Sequence, residues 1–147
     1  MASLLVVDDD QTIRDMFYEL FAEEHLCHTA ETAEQALQWL ETGLYDVVLT
    51  DISMPGMSGL ELIAHVRQRQ PDTPIIVITG IDYQQHAGEL LKLGAFDYLI
   101  KPFQLTDAES KVSRAIEHHR QWLEGVEESA KRALEHRRRL QDEGKKQ

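Results

Sequence analysis

The sequence predicts an α/β fold, a doubly wound parallel sheet of five strands with five helices, and three observations predict it. Four apolar runs of strand length lack polar alternation, helical patterns separate them, and capping signals recur at the junctions. A strand that is apolar at consecutive positions is buried on both faces, as in a parallel sheet covered by helices. Strict alternation of strand and helix then selects parallel pairing with right-handed crossovers.

The elements follow in order. Leu4–Val7 reads as the first strand, and a helical pattern over 12–24 follows it, with Asp10 as its cap. A weaker strand at 26–30 leads to a helix over 32–41 that opens on the capping box Thr32-x-x-Gln35. The run 46–50 is the third strand, and the box Ser58-x-x-Glu61 starts a helix to Arg69. The run 75–79 is the fourth strand. Its helix spans 83–93 and stops at Gly94, while Gly88 inside it costs about 1 kcal/mol relative to Ala. The fifth strand is 96–100, and a last helix, starting either at the box Thr106-x-x-Glu109 or nearer Gln104, runs without Pro to about Leu140. The set suits the flavodoxin-like strand order 2-1-3-4-5, whose working site lies outside the carboxyl ends of the strands where the order reverses.

That rim carries chemistry. Asp8, Asp9 and Asp10 follow the first strand, Asp51 follows the third, Thr79 ends the fourth, and Lys101-Pro102 follows the fifth. Each alone has a plain structural reading as a cap, a strand end or a turn; convergence of all of them favours a site. Close carboxylates raise one another's pKa unless a cation neutralises them. An oxygen donor set without Cys or His suits Mg²⁺ rather than zinc. Asp9 and Asp51 are the expected direct ligands, with Asp8 acting through water and Ser53 contributing its backbone carbonyl. A cation beside a carboxylate sets up phosphoryl transfer onto Asp51, with Lys101 as a mobile point charge and the Thr79 hydroxyl as a donor to phosphoryl oxygens. The expectation is a switch that catalyses only its own phosphorylation and dephosphorylation.

Composition excludes several classes. The formal net charge is −11, and residues 1–110 hold 19 acids against 5 bases, which argues against a nucleic-acid surface. Residues 111–147 hold 7 acids against 10 bases, so the tail is a different kind of segment. A lone Cys27 rules out an internal disulfide or a Cys-based zinc site and points to the cytoplasm. No apolar run approaches the ~20 residues of a membrane span. The seven histidines show no ligand spacing shared with acids and nearly all are expected at the surface, and Trp39 and Trp122 are expected to pack.

Four ordered motifs carry a resemblance: Leu5-Val6-Val7-Asp8-Asp9, the run from Leu49 to Gly59, Ile78-Thr79-Gly80, and the run from Gly94 to Phe103. Over residues 3 to about 118 the sequence resembles the receiver domains of two-component response regulators, typified by the chemotaxis response regulator. The resemblance implies a sensor histidine kinase or phosphotransfer protein as donor. It also implies Tyr98 as the aromatic that turns inward with Thr79, and a cis Lys101-Pro102 bond. Output is implied through the helix 4–strand 5–helix 5 face to a downstream effector. Ser53 and Ile81 match positions that tune the lifetime of the phosphorylated state.

The domain is expected to end near 118, leaving 119–147 as a helical extension. Val112, Ile116, His119, Leu123, Val126, Ala130, Ala133, Arg137 and Leu140 fall at 4-3 spacing, a heptad seam for a parallel homodimer. The alternative is a single charged helix or frayed linker, because His119, Ala130, Ala133 and Arg137 make a poor seam and Gly125 weakens its middle. Three other functions compete with the switch. A phosphohydrolase would need a second acid where Ser53 stands; a nucleotide-binding module would need a Gly-rich loop where Asp8-Asp9-Asp10 stand; and a scaffold would have no use for an intact site.

Overall fold

The computed structural model describes residues 1–80 and 87–145. Five parallel strands, β1 (Ser3–Val7), β2 (Leu26–Ala30), β3 (Val47–Asp51), β4 (Ile75–Thr79) and β5 (Asp97–Ile100), form one sheet in the order β2-β1-β3-β4-β5. The helices are α1 (Gln11–Phe21), α2 (Ala33–Thr42), α3 (Gly59–Arg69), α4 (Ala87–Lys92) and α5 (Leu105–Lys145). The sheet order, the parallel pairing and the long last helix are those the sequence predicts. Tyr83 and Ile81 lie outside the described residues.

The unbroken apolar runs have a simple cause. Leu4 and Val6 of β1, with Leu49, Ile76 and Ile78, pack against Phe17 of α1 and Val112 of α5. Leu5 and Val7, with Val48, Ile75 and Val77, face Leu62, Ile63 and Val66 of α3 and Ala36 and Leu40 of α2. Alternate residues of each strand therefore feed two separate cores, each fully buried side chain contributing roughly 1.5–3 kcal/mol.

Several boundaries differ from the expectation, each for a local reason. Asp10 caps α1 by accepting from the Thr12 amide, so the helix begins at Gln11. Ser58 and Thr32 cap α3 and α2 through Glu61 and Gln35 amides. In the Thr32 box the return bond goes one residue further, from the Glu31 amide to Gln35 Oε1 at 2.9 Å. The Gln104 carbonyl accepts from the Asp107 and Ala108 amides, which starts α5 at Leu105 and leaves Thr106 inside the helix rather than capping it. Gly94 follows α4 at φ +108°, the left-handed region where Gly carries least strain.

The 41 residues of α5 reach about 60 Å at 1.5 Å per residue. Ala108, Val112, Ala115 and His119 face the body, and every described residue from Arg120 to Lys145 is exposed. His119 corrects the surface expectation for histidines. It is buried, its Nδ1 lies 2.9 Å from Asp46 Oδ1, and Asp46 Oδ2 accepts from the Ser3 amide at 2.8 Å. His28 departs from it too, stacking on Trp39 with ring centroids 4.0 Å apart and meeting the Tyr45 hydroxyl at 2.8 Å. None of the described helices is long and apolar enough to cross a membrane.

Candidate functional site

Strand register builds the rim. Val7 pairs with Thr50, Asp51 with Ile78 and Thr79 with Ile100, so the residues just beyond these pairs emerge side by side at the carboxyl edge. Asp51 is itself the last residue of β3 rather than the first residue after it. The Lys101 amide donates to the Thr79 carbonyl at 2.7 Å, extending the β4–β5 ladder into the site, and the Lys101–Pro102 bond is cis.

One carboxylate oxygen from each of Asp8, Asp9 and Asp51 lies within 4.8 Å of the others. Asp8 is fully buried, Asp51 is 6% exposed and Asp9 is open to solvent. Lys101 Nζ bridges the two buried acids, 3.0 Å from Asp8 Oδ2 and 3.3 Å from Asp51 Oδ2. The contact to Asp51 is a hydrogen bond, whereas the one to Asp8 is an ion pair out of hydrogen-bond line, so Asp8 Oδ2 is buried with no hydrogen-bond donor.

The electrostatics follow from burial. Desolvation pushes the Asp8 carboxyl above its ordinary pKa and the Asp51 charge adds to this, while the Asp10 amide and Lys101 pull it back. Burial works against the Lys101 ammonium, but Asp8 and Asp51 outweigh it and raise its pKa above the usual lysine value. Lys101 is therefore charged at neutral pH.

The remaining Asp8 and Asp51 oxygens are tied to backbone. Asp8 Oδ1 accepts from the Asp10 amide at 2.9 Å and Asp51 Oδ1 from the exposed Ser53 amide at 3.0 Å. The Thr79 hydroxyl is buried and donates to the Gly80 carbonyl at 3.2 Å. Tyr98 is half-buried, with Lys111 Nζ 5.0 Å from its ring centroid.

Three residues outside the sequence motifs' acids and Lys position the rim. A Cβ on Gly59 would stand 2.0 Å from the Asp51 carbonyl oxygen and 2.6 Å from Ile52 Cα, so only Gly lets α3 begin against the backbone of Asp51. Glu34 of α2 accepts from the Met57 amide at 3.1 Å and holds the loop after β3. Arg14 of α1 donates to the Asp8 carbonyl at 2.8 Å. Gly59 was visible only as part of a motif. Glu34 and Arg14 carry no local signal beyond falling in the first turns of helices that follow the rim.

An all-oxygen cluster whose one buried oxygen without a hydrogen bond, Asp8 Oδ2, has only the Lys101 ammonium at 3.0 Å fits a hard divalent cation better than zinc.

The comparisons agree with this geometry. The family model described as the response regulator receiver domain matches residues 4–113. The DNA-binding transcriptional regulator NtrC of Escherichia coli (strain K12) is 41% identical over 117 residues, covering 79% of this chain and 25% of that one. The chain thus spans about a quarter of the length of the curated relatives it matches. The response regulator protein TrrA from Thermotoga maritima, solved with Mg²⁺ and BeF, is 37% identical with a TM-score of 0.69, covering 78% of this chain and 99% of that one. A chain described as adenylate cyclase from Rhodopirellula baltica superposes with a TM-score of 0.81 at 26% identity, covering 88% of this chain and 97% of that one. Sheet order, acidic rim and a family match over most of its length together establish that this chain belongs to the response regulator receiver domain family.

Proposed function

We propose that this chain is a phosphorylation-controlled signalling switch that takes a phosphoryl group onto Asp51 from a sensor histidine kinase or a phosphotransfer protein, in a Mg²⁺-dependent reaction in the cytoplasm. One observation carries the reading: three carboxylates within 4.8 Å of one another, with Lys101 Nζ 3.3 Å from Asp51. Asp9 and Asp51 would hold Mg²⁺ directly, Asp8 through water, and Ser53 by its carbonyl. When bound, the ion neutralises charge on the oxygens of the transferring group.

Asp51 is the nucleophile. Lys101 leaves its bridge to Asp8 and Asp51 for one phosphoryl oxygen, and the Thr79 hydroxyl exchanges the Gly80 carbonyl for another. A dianion then stands where a monoanion stood, which gives Thr79 and Tyr98 a reason to move inward together. The signal leaves through the α4–β5–α5 face and along α5 to a downstream effector. Similarity to a DNA-binding transcriptional regulator supports transcriptional control as the output, without direct nucleic-acid contact by these residues.

Residues 1–118 form the receiver in this reading and 119–147 the helical extension. The exposed apolar residues Leu123, Val126 and Leu140 support pairing with a second copy along α5. Val112 and His119 are spent on the body and Ile116 is partly so, which shortens the seam to residues from Leu123 onward.

Intact mass after exposure to a small acyl-phosphate donor with Mg²⁺ tests the switch. One added phosphoryl group is expected, lost in Asp51→Asn and absent when Mg²⁺ is chelated; a wild-type chain that never labels sinks the reading. Sedimentation with and without the donor tests the pairing, which a chain monomeric at high concentration in both states would exclude.

A further inference from the structure

Resting on that reading, we infer that Arg14 is a positioning residue of the site: its guanidinium holds the Asp8 carbonyl and so sets the acidic turn that presents Asp8 and Asp9. The geometry is specific. Arg14 lies four residues after the cap Asp10, and helical side chains lean toward the helix N-terminus, which carries its guanidinium back over the β1–α1 turn. One N–H donates to the Asp8 carbonyl at 2.8 Å, and the side chain is only 15% exposed.

Three bonds then fix this turn from within. The Asp8 carbonyl is held by Arg14, the Asp8 carboxylate holds the Asp10 amide at 2.9 Å, and the Asp10 carboxylate holds the Thr12 amide at 2.9 Å. Asp8 is also tied outward, its amide donating to the Ala30 carbonyl at 3.1 Å at the end of β2. The Asp8 carboxylate therefore has little freedom except toward Lys101 and the open centre of the cluster.

The placement runs against a general preference. A cation near a helix N-terminus opposes the helix dipole, and with no acid in the first turn of α1 only the cap Asp10 offsets it. Stability of the isolated helix does not explain an Arg there, whereas three successive acids directly before the helix do. Arg14 gives that turn a fixed positive charge that a bound cation need not displace, because it touches the carbonyl rather than the carboxylates. Its second contact, to Glu31 at 3.9 Å with Glu31 58% exposed, is a loose surface pair.

Groups that orient metal ligands from behind typically change metal affinity by about 10–100-fold when removed. The test compares Arg14→Met, which keeps length without a donor, with Arg14→Lys, which keeps a charged donor. Mg²⁺ affinity is read by calorimetry, and amide exchange at Asp10 and Thr12 is read in metal-free protein; circular dichroism confirms folding, and Arg14→Ala repeats the comparison should the Met variant not fold.

Arg14→Met is expected to raise the Mg²⁺ Kd about tenfold and to speed exchange at Asp10, with Lys recovering most of both and Glu31→Gln matching wild type. An unchanged Met variant, a Lys variant no better than Met, or a Glu31→Gln variant as damaged as Met overturns the assignment. A wild type that binds no Mg²⁺ instead overturns the switch reading. The metal-free exchange comparison still decides whether Arg14 holds the turn.

Discussion

The two halves of α5 obey different rules. From Leu105 to His119 the helix buries Ala108, Val112, Ala115 and His119 against the sheet, and its register is fixed by what it touches. From Arg120 to Lys145 every residue is exposed, and Trp122 and Leu123 line a groove of about 420 Å³ with Leu44 and Arg69. There only helical hydrogen bonds and neighbours three or four residues away act, as in the pairing of Arg120 with Glu117 at 2.7 Å. The body is over-determined and the extension is local, so equivalent substitutions in the two regions should differ in size and even in sign.

The largest expected effect is at Gly59. An added Cβ meets backbone at 2.0 Å, so Gly59→Ala should cost more than about 3 kcal/mol in urea unfolding and slow labelling of Asp51. A variant as stable as wild type would break the close-packing account. Leu49→Ala, in the core shared with Phe17 and Val112, should cost about 3 kcal/mol, whereas Leu134→Ala on the extension should stay within about 0.5 kcal/mol. Comparable losses at both sites would mean that the extension is packed on something.

Next comes pH. Burial pushes the Cys27 thiol from 9.0 up to about 11. Its folded pKa is raised, so the stability it contributes is fully present below about pH 9 and is lost as pH rises toward about 11, by roughly 2–3 kcal/mol. Urea midpoints across that window should fall more steeply in wild type than in Cys27→Ala, and parallel curves would refute the burial argument. Gly125 lies in open space, so Gly125→Ala should strengthen the extension helix locally by about 1 kcal/mol, read as slower amide exchange there with the body unchanged. Smallest of all is the exposed Glu117–Arg120 pair, which holds the Glu117 carboxyl below its ordinary pKa; Glu117→Gln should leave the unfolding midpoint unmoved at physiological salt.

Legibility follows the same divide. The strands, the helices between them and the caps Asp10, Thr32 and Ser58 could be read because apolar period and capping are written within a few neighbouring residues. Asp8, Asp9, Asp51, Thr79 and Lys101 could be named because fold topology sends strand ends to one rim. Two starts for α5 fit the sequence, the Thr106-x-x-Glu109 box and Gln104, and the Gln104 carbonyl, accepting from the Asp107 and Ala108 amides, decides for Leu105. His119 was misread as a seam residue because its spacing fits a heptad equally well whether the partner is another helix or Asp46.

The sequence by itself determined the sheet order, the gathering of Asp8, Asp9, Asp51, Thr79 and Lys101 at one rim and the existence of a long charged helix, since each rests on local pattern plus a topological rule. Only the tertiary structure decided that Asp8 is the acid sealed from water with an oxygen lacking a donor, and that Gly59 must be bare to let α3 touch Asp51. It alone brought Arg14 behind the acidic turn and turned His119 inward. Those are contacts between segments distant in the chain or folded back on one another, and their energies depend on burial and angle, which no spacing along a sequence encodes.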